Sequence, residues 1–463
     1  MKSHHYSLRH ISYTSLTVVL ALLWLSYQPL VNLGIVSGVH IDISLLYITV
    51  GLCILFSLRN LWKNLPVFAR QPLWLTLFAF TLISSFSMLW SPNSFRALVT
   101  VAFNWVILAF VSTILLHHQK LKKRQETLIK VVAAVGILSA IWAIFQIIGD
   151  TADLSRSLTL LPQAYTGGVF GIARPTGFAL EPQFFGSLLI APICWFAWKL
   201  LTKKPNALFV AGFLGTFSLL ILTLSRGAII GAVVALLVLL ILKRPNLKQS
   251  AVLFANMGVS VLVSLGLIFT VASFRQDAID GQDAVRRSVS HLTLGIINLP
   301  TPAKQKSEKT TGRAVVSEKK SDTGYVESST SSRLSTSQAA LKIWSQSAST
   351  VLFGVGVGGF GASVTETSDD VANSIVNNYY LEILAELGIV GLGTLLTFFG
   401  LLLFSLAKKK QWLLISIIAG FLVQCCFFSG NANILHVWAI AGLALGCLYS
   451  PKISKKKPLR PAS

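Results

Sequence analysis

Long apolar runs separated by short polar connections dominate the pattern of this chain. Each run is about 20 residues long, which is the helical length needed to cross roughly 30 Å of hydrocarbon. The pattern therefore predicts an all-α polytopic membrane protein with about 12 transmembrane helices. The predicted spans are 11–31, 42–58, 73–90, 96–116, 128–148, 182–201, 207–224, 227–242, 251–273, 384–406, 411–429 and 431–449.

Positive charge alternates from one connection to the next. Lys and Arg collect in cytoplasmic loops because they resist translocation and are attracted to anionic lipids. Connections 32–41 and 91–95 contain neither residue, so we expect them outside and both termini in the cytoplasm. The basic stretches, in which Glu126 is the only acid, are 1–10, 59–70, 120–130, 199–204, 243–248, 408–410 and 452–460.

Composition narrows the function classes. Of 463 residues, 53% are hydrophobic and 12% are charged, whereas soluble domains carry about 25% charged residues. The net charge of +22 indicates topology rather than nucleic-acid binding, because it lies in the predicted cytoplasmic connections. All five cysteines lie in apolar runs, so we expect no disulfide in the loops and no CxxC-type zinc site. The first apolar run lacks a small-residue cleavage site and is predicted to be a span, not a signal peptide.

Two connections on the predicted outer side are long, at 149–181 and 274–383. The second separates a nine-helix region, residues 1–273, from a three-helix region with a basic tail, residues 384–463. Within it, residues 298–332 offer almost nothing to bury and are predicted to be disordered. Residues 274–380 carry eleven Lys/Arg and ten Asp/Glu, a balance that argues against a nucleic-acid-binding loop.

Two helices are predicted inside the second connection. Residues 274–297 mix charged and apolar positions, as an interfacial helix does. Residues 333–348 begin after a Ser-rich stretch that offers N-cap residues. Their predicted packing face consists of Leu334, Leu341, Trp344 and Ala348.

Arg226 lies between two apolar runs, in the segment LTLSRGAIIG. Positive charge is disfavoured on the outer side of a membrane, so an arginine there calls for a reason. One interpretation is an arginine that snorkels to the interface. The other is a phosphate site, because a planar and permanently charged fork suits phosphate. Gly227 and Gly231 are expected to leave the surface around the guanidinium uncrowded.

Arg174 and Glu181 share the segment ARPTGFALEP in the first long connection. The prolines and the glycine of this segment favour a turning backbone. A structural role for the segment is therefore the alternative to substrate binding. Glu181 precedes a helix, where the dipole favours a carboxylate. It could also accept a hydrogen bond from a sugar hydroxyl or act as a base.

Arg333 and two motifs after it complete the candidate residues. Arg333 is a third outer arginine, for which a solvated charge is the alternative. The run GVGVGGFG (354–361) predicts a tight turn, with an anion-binding nest of backbone N–H groups as the alternative. Asn377 and Asn378 are expected at the entrance of the next helix, facing the same surface as the arginines.

In their order, these stretches resemble the O-antigen ligase / O-antigen polymerase superfamily of bacterial membrane glycosyltransferases. The resemblance covers most of the chain. It rests on LISSFSMLWSPNSFRAL, RPTGFALEP before the sixth span, SRG at the eighth, and a long outer loop after the ninth. That loop carries Arg333, a helix with Trp344, GVGVGGFG and NNYYLEILAELGIVGL.

The resemblance implies a GT-C-like membrane fold and a metal-independent reaction that needs no cofactor. A glycan moves from a polyprenyl-pyrophosphate carrier to a hydroxyl of a saccharide or glycolipid acceptor, at the outer face of the cytoplasmic membrane. Ligase and polymerase both remain open. Arg226 and Arg333 match the two pyrophosphate-facing arginines of the family, and fixed guanidinium groups would stabilise the leaving group. The implied sites are catalytic Arg226, Arg333 and Glu382, and substrate-binding Arg174, Glu181, Asn377 and Asn378.

One departure from the family concerns the general base. The ligases typically have His-Asn before the Tyr-Leu-Glu pattern, whereas this chain has Asn377 and Asn378. An amide cannot take the proton of the acceptor hydroxyl. The alternatives left open are Glu382, Glu181, His291, an acid at 369–370, or an acceptor that needs little deprotonation.

Two other functions are consistent with a polytopic chain. A transporter or flippase of lipid-linked saccharide is expected to place polar residues at mid-membrane depth on broken helices. Here the spans carry almost no charge at that depth, and the polar residues gather at the outer ends, which favours chemistry at the surface. A non-catalytic scaffold would predict that the outer arginines are dispensable.

Overall fold

The protein was analysed as a computed structural model. It describes residues 18–20, 22, 29–36, 39–202, 206–275, 279–293, 296–297, 324–364, 376–428 and 434–449. Most of the first predicted span and the acids at 369–370 lie outside these residues. The same is true of 298–323 in the stretch predicted to be disordered.

The end of the first predicted span and the loop after it contain a β-hairpin. Strand β1 (Pro29–Val36) pairs antiparallel with β2 (Val39–Ser44). Both strands are rich in Val and Ile, which favour extended backbone. The hairpin adds a small β element to a fold predicted to be all-α. Residues 29–31 of the first predicted span and 42–44 of the second are strand rather than helix. Ser44 ends β2 and caps the first helix, because its Oγ accepts from the N–H of Tyr47 (3.4 Å).

The other described elements are helices. They are α1 (Leu45–Phe68), α2 (Pro72–Ser87), α3 (Ser94–Leu116), α4 (His118–Thr151), α5 (Arg156–Thr159), α6 (Pro182–Thr202), α7 (Ala207–Leu222), α8 (Arg226–Lys243), α9 (Leu247–Phe274), α10 (Gly281–Leu292), α11 (Gly324–Trp344), α12 (Ala348–Phe353), α13 (Phe360–Ser363), α14 (Tyr379–Lys408), α15 (Trp412–Gln424) and α16 (Leu435–Leu448), with 3₁₀ turns at Met88–Trp90 and Gln163–Tyr165.

Eight of these helices are long and apolar enough to cross a membrane: α1, α2 with its 3₁₀ turn, α3, α4 from Leu128, α6, α8, α9 and α14. Three shorter apolar helices, α7, α15 and α16, coincide with further predicted spans. The chain is therefore an α-helical polytopic membrane protein. The total of about 12 spans stays a prediction, because most of residues 11–28 lie outside the described part.

Helix α6 is buried along most of its length and contacts α4, α7, α8 and α15. Helices α8 and α15 cross on two glycines, and a Cβ added to Gly231 would lie 2.7 Å from the carbonyl oxygen of Gly420. A Cβ added to Gly227 would lie 2.4 Å from the Cβ of Phe427. The expectation that Gly227 and Gly231 leave the surface uncrowded is therefore wrong. They serve close helix packing, as small residues do in membranes.

The long second connection packs onto the helix ends. Helix α10 lies against α9, and α11 and α12 lie against the first part of α14. Helix α14 changes direction at Gly388 (φ 63°, ψ −165°), so residues 379–387 form a separate helical piece before the span. Helix α11 begins at Gly324, inside the stretch predicted to be disordered.

The packing face of α11 differs from the predicted one. Leu334 and Leu341 are 58% and 44% exposed, whereas Thr336, Ala340 and Ile343 are buried. Ala340 and Ile343 form a small core with Phe360, Val376 and Ala385. The predicted face is wrong because apolar character does not reveal which side must approach closely. Here the small residues Thr336 and Ala340 occupy that side together with Ile343.

Candidate functional site

The ends of the helices that were predicted to face outside surround a cavity of about 450 Å³. It lies at the α7–α8 junction, beside the start of α6 and the ends of α10 and α15, and α11 covers part of it. We call it the arginine cavity. Among the predicted site residues, those that line it are Arg174, Glu181, Arg226, Arg333 and Asn377, together with His291.

Arg226 is the first residue of α8, directly at its N-terminus. The N-cap Ser225 also lines the cavity and makes no side-chain capping bond. A helix N-terminus carries partial positive charge and presents backbone N–H groups, which favours an anion. Leu224 makes the sharp turn from α7 with a φ of 50°, an unusual conformation for leucine. The turn places the guanidinium and the helix start on the same cavity wall.

Arg333 joins three separate parts of the chain. Its Nη1 donates to the carbonyl oxygen of Phe427 (2.7 Å), after α15, and its Nη2 donates to Oε1 of Gln183 (3.3 Å), at the start of α6. The side chain of Gln424 donates to the carbonyl of Gln183 (3.0 Å). These bonds hold the guanidinium at the cavity wall, so an incoming anion would meet an oriented charge.

Glu181 is the carboxyl group of the cavity. Its Oε2 accepts a hydrogen bond from Nε2 of Gln183 (3.0 Å), so Gln183 links it to Arg333. Burial raises the pKa of Glu181 above its usual 4.5, while Arg333, the bond from Gln183 and Arg174 act in the opposite direction. The result is a carboxylate that takes up a proton more readily than an exposed one does.

Arg174 ties the first long connection to the helix bundle. Its Nε donates to the carbonyl of Thr223 at the end of α7 (3.0 Å), and its backbone N–H donates to Tyr165 (2.9 Å). The guanidinium carbon lies 5.7 Å from the Tyr165 ring centre and 5.9 Å from that of Phe170. Arg174 thus has an evident structural role while it also lines the cavity.

His291, in the last turn of α10, is buried and packs edge-on to Phe170. Its Nε2 lies 3.1 Å from the carbonyl oxygen of Leu224 and must donate to it, because a carbonyl only accepts. Burial, Arg226, Arg174 and Arg333 together lower the pKa of His291 to about 4, although the hydrogen bond to Leu224 acts in the opposite direction. The imidazole is therefore neutral at pH 7.

Of the two asparagines before α14, Asn377 lines the cavity and Asn378 caps the helix. The Oδ1 of Asn378 accepts from the backbone N–H groups of Tyr380 and Leu381 (both 3.1 Å), so Asn378 is the N-cap of α14. Neither Asn378 nor Glu382, in the first turn of α14, belongs to the cavity lining.

Several lining residues were not predicted. Gln183 lies two positions after Glu181 in the EPQ segment, and its amide could have been noticed as a partner for a buried carboxyl group. Phe427 acts through its carbonyl oxygen, and no sequence pattern marks a backbone group. Other unpredicted lining residues include Ser225, Ser337 and Cys426.

The glycine run forms the predicted tight turn, closed by a hydrogen bond from the Gly359 N–H to the Gly356 carbonyl (3.0 Å). Its N–H groups hold a carboxylate of the chain itself. Gly358 donates to Oε2 of Glu386 (2.8 Å), and Phe360 donates to Oε1 (3.3 Å). We call residues 354–361 with Glu386 the glycine clamp. The nest considered for an external anion is thus occupied by Glu386.

The LWSPNSF stretch after α2 holds the other side of this turn. Ser91 Oγ donates to the carbonyl of Val357 (2.8 Å), and the N–H of Val357 donates to Ser87 Oγ (3.1 Å). Two stretches that carried the family resemblance are therefore in direct contact. They fix the position of residues 379–387, which lead from Asn377 to the membrane.

Residues 211–396 match the family model described as O-antigen ligase. The match spans α7 to the middle of α14, and Arg226, His291, Arg333 and Asn377 fall inside it. It confirms the resemblance to the O-antigen ligase / O-antigen polymerase superfamily, and with it a membrane function of this general type in polysaccharide biosynthesis. No curated protein matches the chain.

Proposed function

We propose that this protein is a glycosyltransferase of the outer face of the bacterial cytoplasmic membrane. It moves a glycan from a polyprenyl-pyrophosphate carrier to an acceptor hydroxyl. The observation that carries this proposal is the meeting of Arg174, Arg226 and Arg333 in one cavity at the outer helix ends. Both termini are cytoplasmic in this scheme, and the bundle is GT-C-like with about 12 spans.

The arginines act on the leaving group. The acceptor oxygen forms a bond to the anomeric carbon of the donor glycan, and the bond from that carbon to the pyrophosphate oxygen breaks. The electron pair leaves with the pyrophosphate, so negative charge grows there. Arg226 with the start of α8, and Arg333 held by Phe427 and Gln183, present fixed positive charge to it. Such preorganised charge is usually the largest catalytic term.

The proton of the acceptor hydroxyl goes to Glu181 in this mechanism. Glu181 lines the cavity and its raised pKa makes it a stronger base than an exposed carboxylate. A bound pyrophosphate would offset Arg333 and Arg174, which now lower that pKa, so donor binding increases the basicity further. His291 is the alternative, but it is a weak base, because its pKa is lowered to about 4.

Replacing the arginines tests the proposal. Cells that lack the gene are complemented with wild type, Arg226→Ala or Arg333→Ala, and their surface glycan is compared at equal membrane content of each protein. We expect each variant to lower glycan transfer about 100- to 1,000-fold, as expected when one charge-stabilising group is lost.

Arg156→Ala is the matched control, because Arg156 is an exposed arginine of the first long connection whose side chain bonds only to Gln163 among the contacts described (2.9 Å). It should leave transfer unchanged. Wild-type glycan from both cavity variants would refute the catalytic role and favour a scaffold. Accumulation of intact lipid-linked glycan on the outer face of the variants would separate a failed transferase from a failed transporter.

A further inference from the structure

A second cavity, of about 430 Å³, lies at the opposite ends of the helices. It is formed by the start of α2 and the ends of α3, α14 and α16, so it joins the nine-helix region to the three-helix region. Its walls are mainly aliphatic. They include Leu73, Leu115, Leu401, Leu445 and Leu448. Such walls fit an acyl chain and would bind a sugar or a free ion poorly.

One side of this cavity is positively charged. Lys408 and Lys409 line it, and there is no Asp or Glu among its lining residues. The Nζ of Lys408 lies 4.3 Å from the ring centre of Phe404, so the ammonium group stays over the cavity wall. The start of α2 also opens here, and its N-cap Gln71 makes no side-chain capping bond. The two lysines favour an anion, and the helix start adds to them.

We propose that this cavity binds one anionic phospholipid from the leaflet on the basic, predicted cytoplasmic side. The phosphate lies between Lys408 and Lys409, and an acyl chain fills the aliphatic part between α3 and α14. An inorganic anion would leave the aliphatic walls uncovered, and a zwitterionic lipid would bring no net charge to the lysines. The lipid joins the two helical regions and acts apart from the arginine cavity.

Lipid binding to the full-length protein tests this. The protein is purified in detergent, delipidated, and titrated with phosphatidylglycerol or phosphatidylcholine, and bound lipid is counted by native mass spectrometry. We expect one phosphatidylglycerol per chain and at least tenfold weaker binding of phosphatidylcholine. Lys408→Gln with Lys409→Gln should weaken phosphatidylglycerol binding about thirtyfold, given roughly 1 kcal/mol for each lysine near an anionic surface.

Lys243→Gln with Lys248→Gln is the matched control, because it removes the same charge from the same face, away from the cavity. Ser405→Trp is a second test that fills the cavity and keeps both lysines. It should remove lipid binding without any change in charge. Equal binding of the two lipids, or equal losses in the cavity and control lysine pairs, would overturn the proposal. So would full binding by a folded Ser405→Trp variant.

Discussion

Two carboxyl groups, that of the half-buried Glu181 and that of the buried Glu386, are held in different ways. Glu181 accepts from the side chain of Gln183 and lines the arginine cavity. Glu386, only 5% exposed, accepts from the backbone N–H groups of Gly358 and Phe360 in the glycine clamp. A side-chain partner can turn away when a substrate arrives, whereas backbone partners in a turn cannot move without opening it. The difference separates a group available for chemistry from one that holds the structure.

Neutralising Glu181 should therefore lower mainly activity, whereas neutralising Glu386 should lower mainly stability. Glu181→Gln removes the proposed base and should lower transfer about 100-fold, within the range of general base catalysis, with little change in thermal stability. Glu386→Gln places an amide NH₂ against one of the two N–H donors. It should reduce stability by about 1.5–3 kcal/mol, the value of a hydrogen bond to a charged group, while transfer per folded molecule stays near wild type.

Both variants are compared by thermal unfolding in detergent and by glycan transfer normalised to folded protein. The distinction between a catalytic Glu181 and a structural Glu386 fails if the two effects are reversed. It also fails if Glu181→Gln transfers glycan at the wild-type rate.

The kink of α14 at Gly388, two residues after Glu386, gives the next largest expected effect. Gly388 has a φ of 63°, and a Cβ there would lie 2.3 Å from the carbonyl carbon of Leu352. Gly388→Ala should therefore destabilise the protein by about 2 kcal/mol or more, since left-handed backbone alone costs 1–2 kcal/mol for a residue with a Cβ. The measurement is the unfolding temperature in detergent.

Gly393→Ala is the control in the same helix, because a Cβ at Gly393 meets nothing within 4 Å. It should be neutral or slightly stabilising, as alanine is the better helix former. An equal loss of stability in both variants would mean that the helix, rather than the close contact between Gly388 and Leu352, is sensitive.

The sequence predicted the cavity better than the clamp for a physical reason. Arg174, Arg226 and Arg333 stand out because positive charge is rare at outer helix ends, and helices that cross a membrane must bring such ends to one surface. Glu386 lies four positions after Glu382 and looks like an ordinary helical acid. The partners of Glu386 are N–H groups of the glycine turn. That turn is distant in sequence, and no local pattern shows that its N–H groups point at Glu386.

Apolar patterning had a similar limit. It located every helix among the predicted spans from 42–58 onward, because helix length and hydropathy are local properties. It did not predict the hairpin at 29–44, where β-branched residues favoured strands, nor the exposure of Leu334, which lines the arginine cavity. A leucine can face a core, a lipid or a substrate, and its identity alone does not say which.

The pH dependence of transfer distinguishes the two candidate bases of the cavity, Glu181 and His291. A base must be deprotonated, so transfer falls as pH drops through its pKa, about tenfold for each pH unit below it. For Glu181 the fall should begin above the usual carboxyl value of 4.5, whereas for His291 it should begin at about 4. The profile of kcat/KM reports the free enzyme and is the one to compare. Glu181→Gln should remove this acid limb, and a limb that persists in that variant would assign the proton to another group.

The smallest effect is expected where the chain departs from the family that it resembles. Asn377 lines the arginine cavity at the position where the family usually has histidine, so Asn377→His restores the missing imidazole. Because Glu181 is the proposed base in the same cavity, we expect transfer at pH 7 to stay within about threefold of wild type. The double variant Glu181→Gln with Asn377→His should in contrast recover part of the activity that Glu181→Gln loses, since the new imidazole can take the proton instead. A gain of tenfold or more from Asn377→His alone would show that the native cavity lacks an effective base, and the role of Glu181 would have to be given up.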